Sequence, residues 1–209
     1  MKRNFPLLTV LTALLLLVVT SCQTPVSLVS WKNPASAAKV SKVAVMPLFE
    51  RIDYLKAFEQ SMTAFFDKKG LSAVGSLEFL NPTVKYPIDD IKHRCDSLGV
   101  DAILLFIYKG TDKSDSYIPP TSYYTGTYGG YGGYWGGGWW GGYGDVVTTG
   151  GYWTTTHVIS LSAKLFIKGS LDPVWTGDVS ITDPDYVDTA AKRIGQQIYA
   201  DWKRNNLLK

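Results

Sequence analysis

Hydrophobic and polar residues follow two different periods along the chain, and these periods predict its elements. Apolar residues recur at spacings of three and four over residues 55–65 and 88–98, as they do on one face of a helix. Over residues 157–168 they alternate with polar residues, as in an antiparallel strand with one face in water. The pattern therefore predicts a protein that contains both helices and strands.

The remaining segments complete the predicted order. Short apolar runs without helical spacing predict strands at 42–49, 71–77 and 100–108, and a run at 175–181 pairs with 157–168. Pro47 has no amide hydrogen, so its strand lies at a sheet edge or ends its pairing there. Asp183-Pro184 starts a last helix with an Asp cap. The order β-α-β-α-β-(insertion)-β-β-α predicts an α/β (α+β) fold with a mixed β-sheet and helices packed on it.

Composition and charge support a folded chain and argue against one class of partner. Of the 209 residues, 45% are apolar and 19% charged, which supports a packed core. The formal charge is +3, but Lys2 and Arg3 lie in a segment that we expect to be removed. Without them, 19 Lys and Arg face 18 Asp and Glu, a balance of +1. This charge attracts polyphosphate weakly, so we expect no nucleic-acid partner.

The amino terminus has the organisation of a secretory signal peptide. Lys2 and Arg3 precede an uncharged apolar core of thirteen residues, 7–19. As a helix this core would be about 20 Å long, which is short of the roughly 30 Å hydrocarbon layer of a bilayer. We therefore interpret residues 1–21 as a signal peptide that is removed.

The sequence Val19-Thr20-Ser21-Cys22 resembles the lipobox of bacterial lipoproteins. The resemblance implies cleavage before Cys22, diacylation of its thiol with fatty acids such as palmitate, and acylation of the new amino terminus. Cys22 would then anchor the chain in a lipid bilayer. Gln23 stands where an aspartate retains enterobacterial lipoproteins on the inner membrane. The resemblance thus implies the outer membrane of a Gram-negative bacterium; we expect the protein on its periplasmic face, and the alternative of a surface orientation stays open.

The mature chain is predicted to have three parts. Residues 22–39 contain the lipidated cysteine and a tether without sustained periodicity, and residues 40–209 form one domain. Inside the domain, 116–153 is predicted to be a Gly/aromatic-rich insertion, since 123–153 hold eleven aromatic residues and a single charge, Asp145. Glycine-rich chain resists forming its own core, whereas Tyr and Trp suit interfaces.

The insertion contains a candidate interaction surface of aromatic side chains. Four interpretations stay open for it: a flexible loop between strands, a protein-contact or self-association surface, a membrane-interface contact, and a platform for stacking sugar rings. The residues of this candidate surface are Tyr131, Trp135, Trp139, Trp140 and Tyr143.

The element order and several short motifs resemble a group of bacterial envelope proteins. The motifs are KVAVMPL, LGVDAILLF and VWTGD, followed by an amphipathic terminal helix. The group includes the amino-terminal domain of the Tol-system propeller protein, the curli-secretion lipoprotein and the lipoprotein activators of peptidoglycan synthases. A set of uncharacterised outer-membrane lipoproteins with a Gly/Tyr-rich insertion is the most similar. Its pattern recurs at Trp31, Arg51, Glu59, Ser76, Trp175 and Gly177.

No group of residues in the sequence has the spacing of a catalytic or metal site. Cys95 lies on the apolar stripe of a predicted helix, so we expect a buried, inert thiol. Asp183, Asp185 and Asp188 fit helix capping better than a calcium loop, which would need a Gly and a bidentate Glu at later positions. Arg51 and Glu59 are candidates for an ion pair or a partner contact. We expect no enzyme activity, no cofactor and no metal.

These observations favour a membrane-anchored envelope lipoprotein that acts as a non-enzymatic binding, adaptor or structural component. Its expected partners are the bilayer, through Cys22, and another envelope protein. The alternative is a subunit of an oligomeric outer-membrane assembly or secretion pore. A protein that binds or cleaves cell-wall glycan, with Asp183 and Asp185 as acid and base, is the third hypothesis. Fold alone does not choose among them, and the oligomeric state stays open.

Overall fold

The computed structural model describes residues 25–119, 121–124, 146–149, 151–170 and 172–209. The chain divides into two compact units. The first holds the described residues up to Asp112 and from His157 onward, and the second is Lys113–Thr156. Among the described residues, no helix combines the length and apolarity that a membrane crossing requires.

The described strands form two sheets. They are β1 (Val26–Lys32), β2 (Lys42–Leu48), β3 (Ser72–Gly75), β4 (Ala102–Ile118), β5 (Thr121–Tyr124), β6 (Val146–Thr149), β7 (Tyr152–Ile167) and β8 (Trp175–Thr182). Six of them form one sheet in the order β1-β8-β7-β4-β2-β3, and β5 pairs with β6. β2 runs parallel to β3 and β4, whereas β8 runs antiparallel to β1 and β7. The predicted mixed sheet is confirmed.

Three α-helices of the described residues pack on this sheet: α1 (Ile52–Lys68), α2 (Ile88–Ser97) and α3 (Val187–Arg204), with a short 3₁₀ turn at Ser76–Glu78. α1 and α3 contribute to the main core with the inward-facing residues of the strands. α2 contributes Cys95 to a smaller cluster with Ala44 of β2 and Val74 of β3, on the opposite face of the sheet. The predicted α/β (α+β) architecture, with helices on the sheet, is therefore confirmed.

The periodicity predicted the buried face of α1 well and that of α2 only in part. Leu55, Phe58, Met62 and Phe65 are all buried, as one helical stripe requires. In α2, by contrast, only Cys95 is buried, and Ile88 at the start of the helix is 69% exposed. The second face of the sheet is therefore covered less completely than the first.

Helices α1 and α3 approach closely at a glycine. A Cβ atom at Gly195 would lie 2.8 Å from Met62 Sδ and 2.9 Å from Phe65 Cδ1, which is closer than real Cβ contacts. The absence of a side chain at this position therefore lets the two helices share one buried layer.

Strand β1 occupies the middle of the predicted tether. Residues 22–39 were expected to be irregular, yet Val26–Lys32 pairs in register with β8, from Val26 opposite Ile181 to Lys32 opposite Trp175. The strand escapes recognition in the sequence because it lies at the sheet edge and alternates only partly buried with exposed positions.

Two further details refine the predictions. Helix α3 begins at Val187, so Asp183 is not its N-cap; Asp183 has a φ of 43° and accepts a hydrogen bond from the His157 amide at 2.6 Å. β2 lies inside the sheet, but its pairing with β3 ends at Val45, before Pro47. On its other side β2 stays paired with β4 through Pro47 and Leu48, so the strand is not at an edge and its pairing ends before Pro47 only toward β3.

The second unit contains the predicted insertion, 116–153, and a little more on each side. β4 extends to Ile118 and β7 starts at Tyr152, so both strands run into the region that the sequence suggested was irregular. Within this unit, Thr155 donates to Asp115 at 2.6 Å, and the rings of Tyr117 and Trp153 lie 5.2 Å apart. The strand ends of the second unit are thus joined by side-chain contacts.

Candidate functional site

The main candidate site is a cleft of about 580 Å³ between the first turns of α1 and α3, which we call the interhelix cleft. It lies where the loop after β2 and the loop before α3 meet above the sheet. Ligands of open α/β sheets commonly bind at the carboxyl ends of parallel strands, and β2 is such a strand. Its lining includes the apolar and aromatic residues Phe49, Tyr54, Phe58, Tyr108, Ile159, Leu161, Ile181, Tyr186, Val187, Ala190 and Ile194, and the charged residues Glu50, Arg51 and Asp185.

The floor of the interhelix cleft is apolar and its rim is aromatic. Leu161 and Ile181 of the sheet are buried in the floor, as is Ile194 of α3. At the rim, Tyr54 is 43% and Tyr186 is 72% exposed. An apolar base with amphipathic aromatic side chains around it is typical of a binding site.

One arginine is held at the rim of the interhelix cleft by its neighbours. Arg51 Nε donates to Asp53 at 3.1 Å and Arg51 Nη1 donates to the Tyr54 hydroxyl at 3.0 Å. Its guanidinium carbon lies 3.9 Å from the centroid of the Tyr54 ring. The hydrogen bond to Asp53 raises the pKa of Arg51 and lowers the pKa of Asp53. Arg51 is thus a permanent cation, oriented but exposed to solvent.

Acidic side chains of the chain itself partly offset the positive charge of the free backbone N–H groups at the starts of α1 and α3. Neither α1 nor α3 has a side-chain N-cap hydrogen bond, but each carries an acidic residue in its first turn, Asp53 and Asp188 respectively. Asp188 also accepts a hydrogen bond from the Thr189 amide at 2.7 Å. The carboxylates offset the positive ends of the helix dipoles, so these ends do not by themselves form an anion site.

The structure places Arg51 and Glu59 in different environments. Glu59 is 3% exposed and accepts hydrogen bonds from the Ser76 hydroxyl, from the Ser76 amide at 2.9 Å and from the Leu77 amide at 3.1 Å. Burial raises the pKa of Glu59, although these hydrogen bonds oppose the rise. Glu59 therefore fastens α1 to the start of the 3₁₀ turn, and the ion pair with Arg51 that the sequence suggested does not form.

A glycine makes room for the buried Glu59 carboxylate. A Cβ atom at Gly75 would lie 2.7 Å from Glu59 Oε2. The 3₁₀ turn beyond it borders a second, mainly apolar cleft of about 520 Å³, lined by Leu48, Ile52, Leu77, Val84 and Tyr86 among others. Two clefts thus lie on either side of the loop that joins β2 to α1.

Trp175 and Gly177, which were also among the residues of the sequence resemblance, meet at the other end of the sheet. A Cβ atom at Gly177 would lie 2.6 Å from Trp175 Cη2 and 2.8 Å from Leu28 Cδ1. Trp175 is fully buried, and its indole N–H donates to Asp201 Oδ2 at 2.7 Å. These residues build the core and do not reach the interhelix cleft. Trp31, the remaining member of the pattern, lies on β1 and is 55% exposed.

The other sequence candidates are either structural or outside the described residues. Cys95 is buried, and burial raises the pKa of its thiol. Among the described residues no three His, Cys, Asp or Glu side chains are grouped to hold a metal ion. The lipobox with Cys22 lies outside the described residues, as do Tyr131, Trp135, Trp139, Trp140 and Tyr143.

Sequence reasoning missed the tyrosines of the interhelix cleft. Tyr54 and Tyr186 lie at helix starts, and Tyr108 lies in β4 just beyond its buried residues. Tyr108 directly follows an apolar run, whereas Tyr54 and Tyr186 each stand next to an acidic residue and outside any apolar run. Only the fold shows that these separate positions face one cleft.

Comparisons with known proteins give distant structural likenesses. No family model matches the chain, and no curated protein matches it. A variant PelC dodecamer from Paraburkholderia phytofirmans is similar at 15% identity and a TM-score of 0.44, with 82% of this chain and 94% of that chain covered. A second PelC dodecamer structure from the same organism is similar at 14% identity and a TM-score of 0.42, and the alignment covers 81% of this chain and 91% of that chain.

A third likeness covers a smaller share of its counterpart. It is a PDZ domain protein from Parabacteroides distasonis, at 10% identity and a TM-score of 0.36. The alignment covers 81% of this chain and 33% of that chain. Likenesses of this size carry no argument about function.

Proposed function

We propose that the chain is a membrane-anchored envelope lipoprotein that works by binding a protein partner in the interhelix cleft. The anchor is Cys22, supported by its lipobox, and Gln23, in place of an inner-membrane aspartate, supports an outer membrane. The observation that carries the binding role is the cleft itself, an apolar pocket of about 580 Å³ rimmed by Arg51 and tyrosines.

The rim chemistry favours a protein partner. Tyr and Arg are enriched where protein interfaces bind most strongly, because both combine a large flat surface with hydrogen-bonding groups. Tyr54, Tyr108 and Tyr186 supply this surface, and Arg51 supplies a donor for a carboxylate or a main-chain carbonyl. The partner we propose is an envelope protein that inserts a segment with an apolar side chain and an acceptor into the cleft.

The buried acids of the described chain have structural assignments, which is consistent with binding as its role. Glu59 accepts its hydrogen bonds from the 3₁₀ turn, and Asp201 accepts them from Trp175, Arg204 and Asn205. Both carboxylates hold elements together and neither lines the interhelix cleft, whose acidic lining residues are Glu50 and Asp185.

Photo-crosslinking in cells tests this proposal. A photoreactive phenylalanine derivative replaces Tyr186 in the full-length protein, and Gln197, an exposed residue farther along α3, serves as the matched position. We expect one dominant protein adduct from position 186 and none from position 197. Equal adducts from both positions would contradict a specific site. An adduct to a second copy of the chain would instead support the alternative, a subunit of an oligomeric assembly.

A further inference from the structure

The exposed side of β1 carries two large apolar residues in an unusual place. Val29 is 76% exposed and Trp31 is 55% exposed, and both lie on the same side of the strand because side chains alternate. Val26 and Leu28, on the other side, pack against the main core. β1 is therefore apolar on both of its sides although it is an edge strand of the sheet.

Exposed edge strands usually carry charge or other protection against association. On β1, the outward side offers Val29 and Trp31, whereas their cross-strand neighbours on β8 are the polar residues Asp178 and Thr176. The apolar surface is thus a strip one strand wide, bordered by polar groups. A narrow apolar strip with polar borders is suited to an interface between water and an apolar layer.

The distance to the anchor limits what this strip can face. Three residues, 23–25, separate Cys22 from the first residue of β1. Fully extended, the four steps from Cys22 to Val26 span at most about 14 Å. A lipidated Cys22 lies at the bilayer surface, so the start of β1 must lie within that distance of it. Val29 and Trp31 follow within the next five residues of the same strand.

We infer that the outward side of β1, through Val29 and Trp31, lies in the headgroup layer of the bilayer to which Cys22 anchors the chain. The inference rests on the acylation of Cys22 that the proposed function includes. Trp is enriched at membrane–water interfaces, where its ring contacts the acyl boundary and its N–H stays hydrated. The strip thereby orients the sheet against the membrane, which a flexible lipid tether would not do.

Depth-dependent quenching tests this inference on the full-length protein, acylated in cells and reconstituted in vesicles of phosphatidylethanolamine and phosphatidylglycerol. An environment-sensitive fluorophore is attached to Val29→Cys or, as the matched control, to Lys192→Cys on the exposed side of α3. The burial of Cys95 protects its thiol from the reagent. We expect nitroxide lipids to quench the probe at position 29 severalfold more than the probe at position 192.

A second pair of variants separates membrane contact from mere proximity. Combined with the probe at position 29, Trp31→Asp should reduce quenching to the level of the control, whereas Trp31→Phe should retain most of it. Trp31 is more than half exposed, so neither change should disturb folding, which circular dichroism verifies.

Each remaining result decides against the inference in a recognisable way. Equal quenching at positions 29 and 192, with Cys22 acylated by mass spectrometry of the amino-terminal peptide, overturns the inference and leaves the proposed function standing. Energy transfer between labelled copies in place of lipid quenching also overturns it and assigns the strip to a second copy. An unmodified Cys22 contradicts both the inference and the proposed function.

Discussion

The two ends of helix α3 show opposite solutions to the same packing problem. At the carboxyl end, Trp202 is fully buried, stacks on Phe66 with ring centroids 5.8 Å apart and meets Trp175 edge-on at 5.7 Å. At the amino end, Tyr186 is 72% exposed, and the space beside it is the interhelix cleft. One helix therefore closes the core with aromatic rings at one end and leaves an open site at the other.

The difference between the two ends of α3 indicates that stability and binding depend on different residues of this chain. Buried aromatic pairs and the Gly195 contact fix α3 against α1, so the open amino end does not need to contribute packing. Substitutions at the closed end should therefore lower stability, and substitutions at the open end should affect binding alone.

The largest effect is expected from Trp202→Ala. Removing a fully buried indole from the aromatic cluster leaves a cavity and should lower the free energy of unfolding by about 3–5 kcal/mol. Urea unfolding followed by circular dichroism measures it. The indole N–H of Trp202 has no hydrogen-bond partner among the described residues, so Trp202→Phe should cost clearly less than Trp202→Ala. Equal losses for both variants would show that stacking on Phe66 is unimportant.

A smaller loss is expected when the polar part of the closed end is removed. Asp201→Ala takes away the acceptor of the buried Trp175 indole N–H and should cost about 1–3 kcal/mol of unfolding free energy. Asp185→Ala, an exposed carboxylate at the open end, is the control and should change stability by less than about 0.5 kcal/mol. The same denaturation curves measure both. If Asp201→Ala left the free energy of unfolding unchanged, the aromatic rings alone would account for the stability of this end.

The buried Glu59 on α1 should make stability depend on pH in a defined direction. Burial raises its pKa in the folded protein, so the folded state keeps a proton that the unfolded state has already released. The stability contribution is therefore highest below the ordinary pKa of glutamate, about 4.3, and declines as the pH rises through the raised folded pKa.

Glu59→Gln removes this titration and provides the comparison. The wild-type unfolding free energy minus that of Glu59→Gln should fall as the pH rises across this window, measured by urea unfolding at a series of pH values. A difference that increases with pH would show that the hydrogen bonds from Ser76 and Leu77 outweigh burial and lower the pKa instead.

The smallest change in stability is expected at the open end. Tyr186→Ala removes an exposed ring, so the free energy of unfolding should change by no more than about 0.5 kcal/mol. Partner capture, measured by crosslinking from Tyr54 as an independent position in the same cleft, should nevertheless decrease strongly. Unchanged capture would separate Tyr186 from the binding site, and a large loss of stability would end the contrast between the two ends of α3.

Hydrophobic periodicity, together with the residues that end helices and strands, predicted the parts of the fold that depend on strong local patterns. The stripe Leu55, Phe58, Met62 and Phe65 specified the buried face of α1, and the apolar run before Tyr108 specified a buried strand of the mixed sheet. These elements bury apolar residues that are regularly spaced along the chain, so the spacing alone identifies the buried face.

The parts that were missed depend on tertiary partners. β1 is defined by its register with β8 and not by its own composition. The start of α3 moved from Asp183 to Val187 because Asp183 adopts a positive φ and accepts a hydrogen bond from His157. The cleft tyrosines are far apart in sequence, so no local pattern could group them.

The buried Cys95 is an intrinsic chemical probe of local unfolding. It belongs to the smaller apolar cluster under α2, with Ala44, Val74 and Val100, and is the only free cysteine among the described residues. A thiol reagent can modify it only when that layer opens, because burial both shields the sulfur and disfavours the thiolate. The alkylation rate, compared with that of the unfolded chain, reports the fraction of molecules in which α2 has lifted from the sheet.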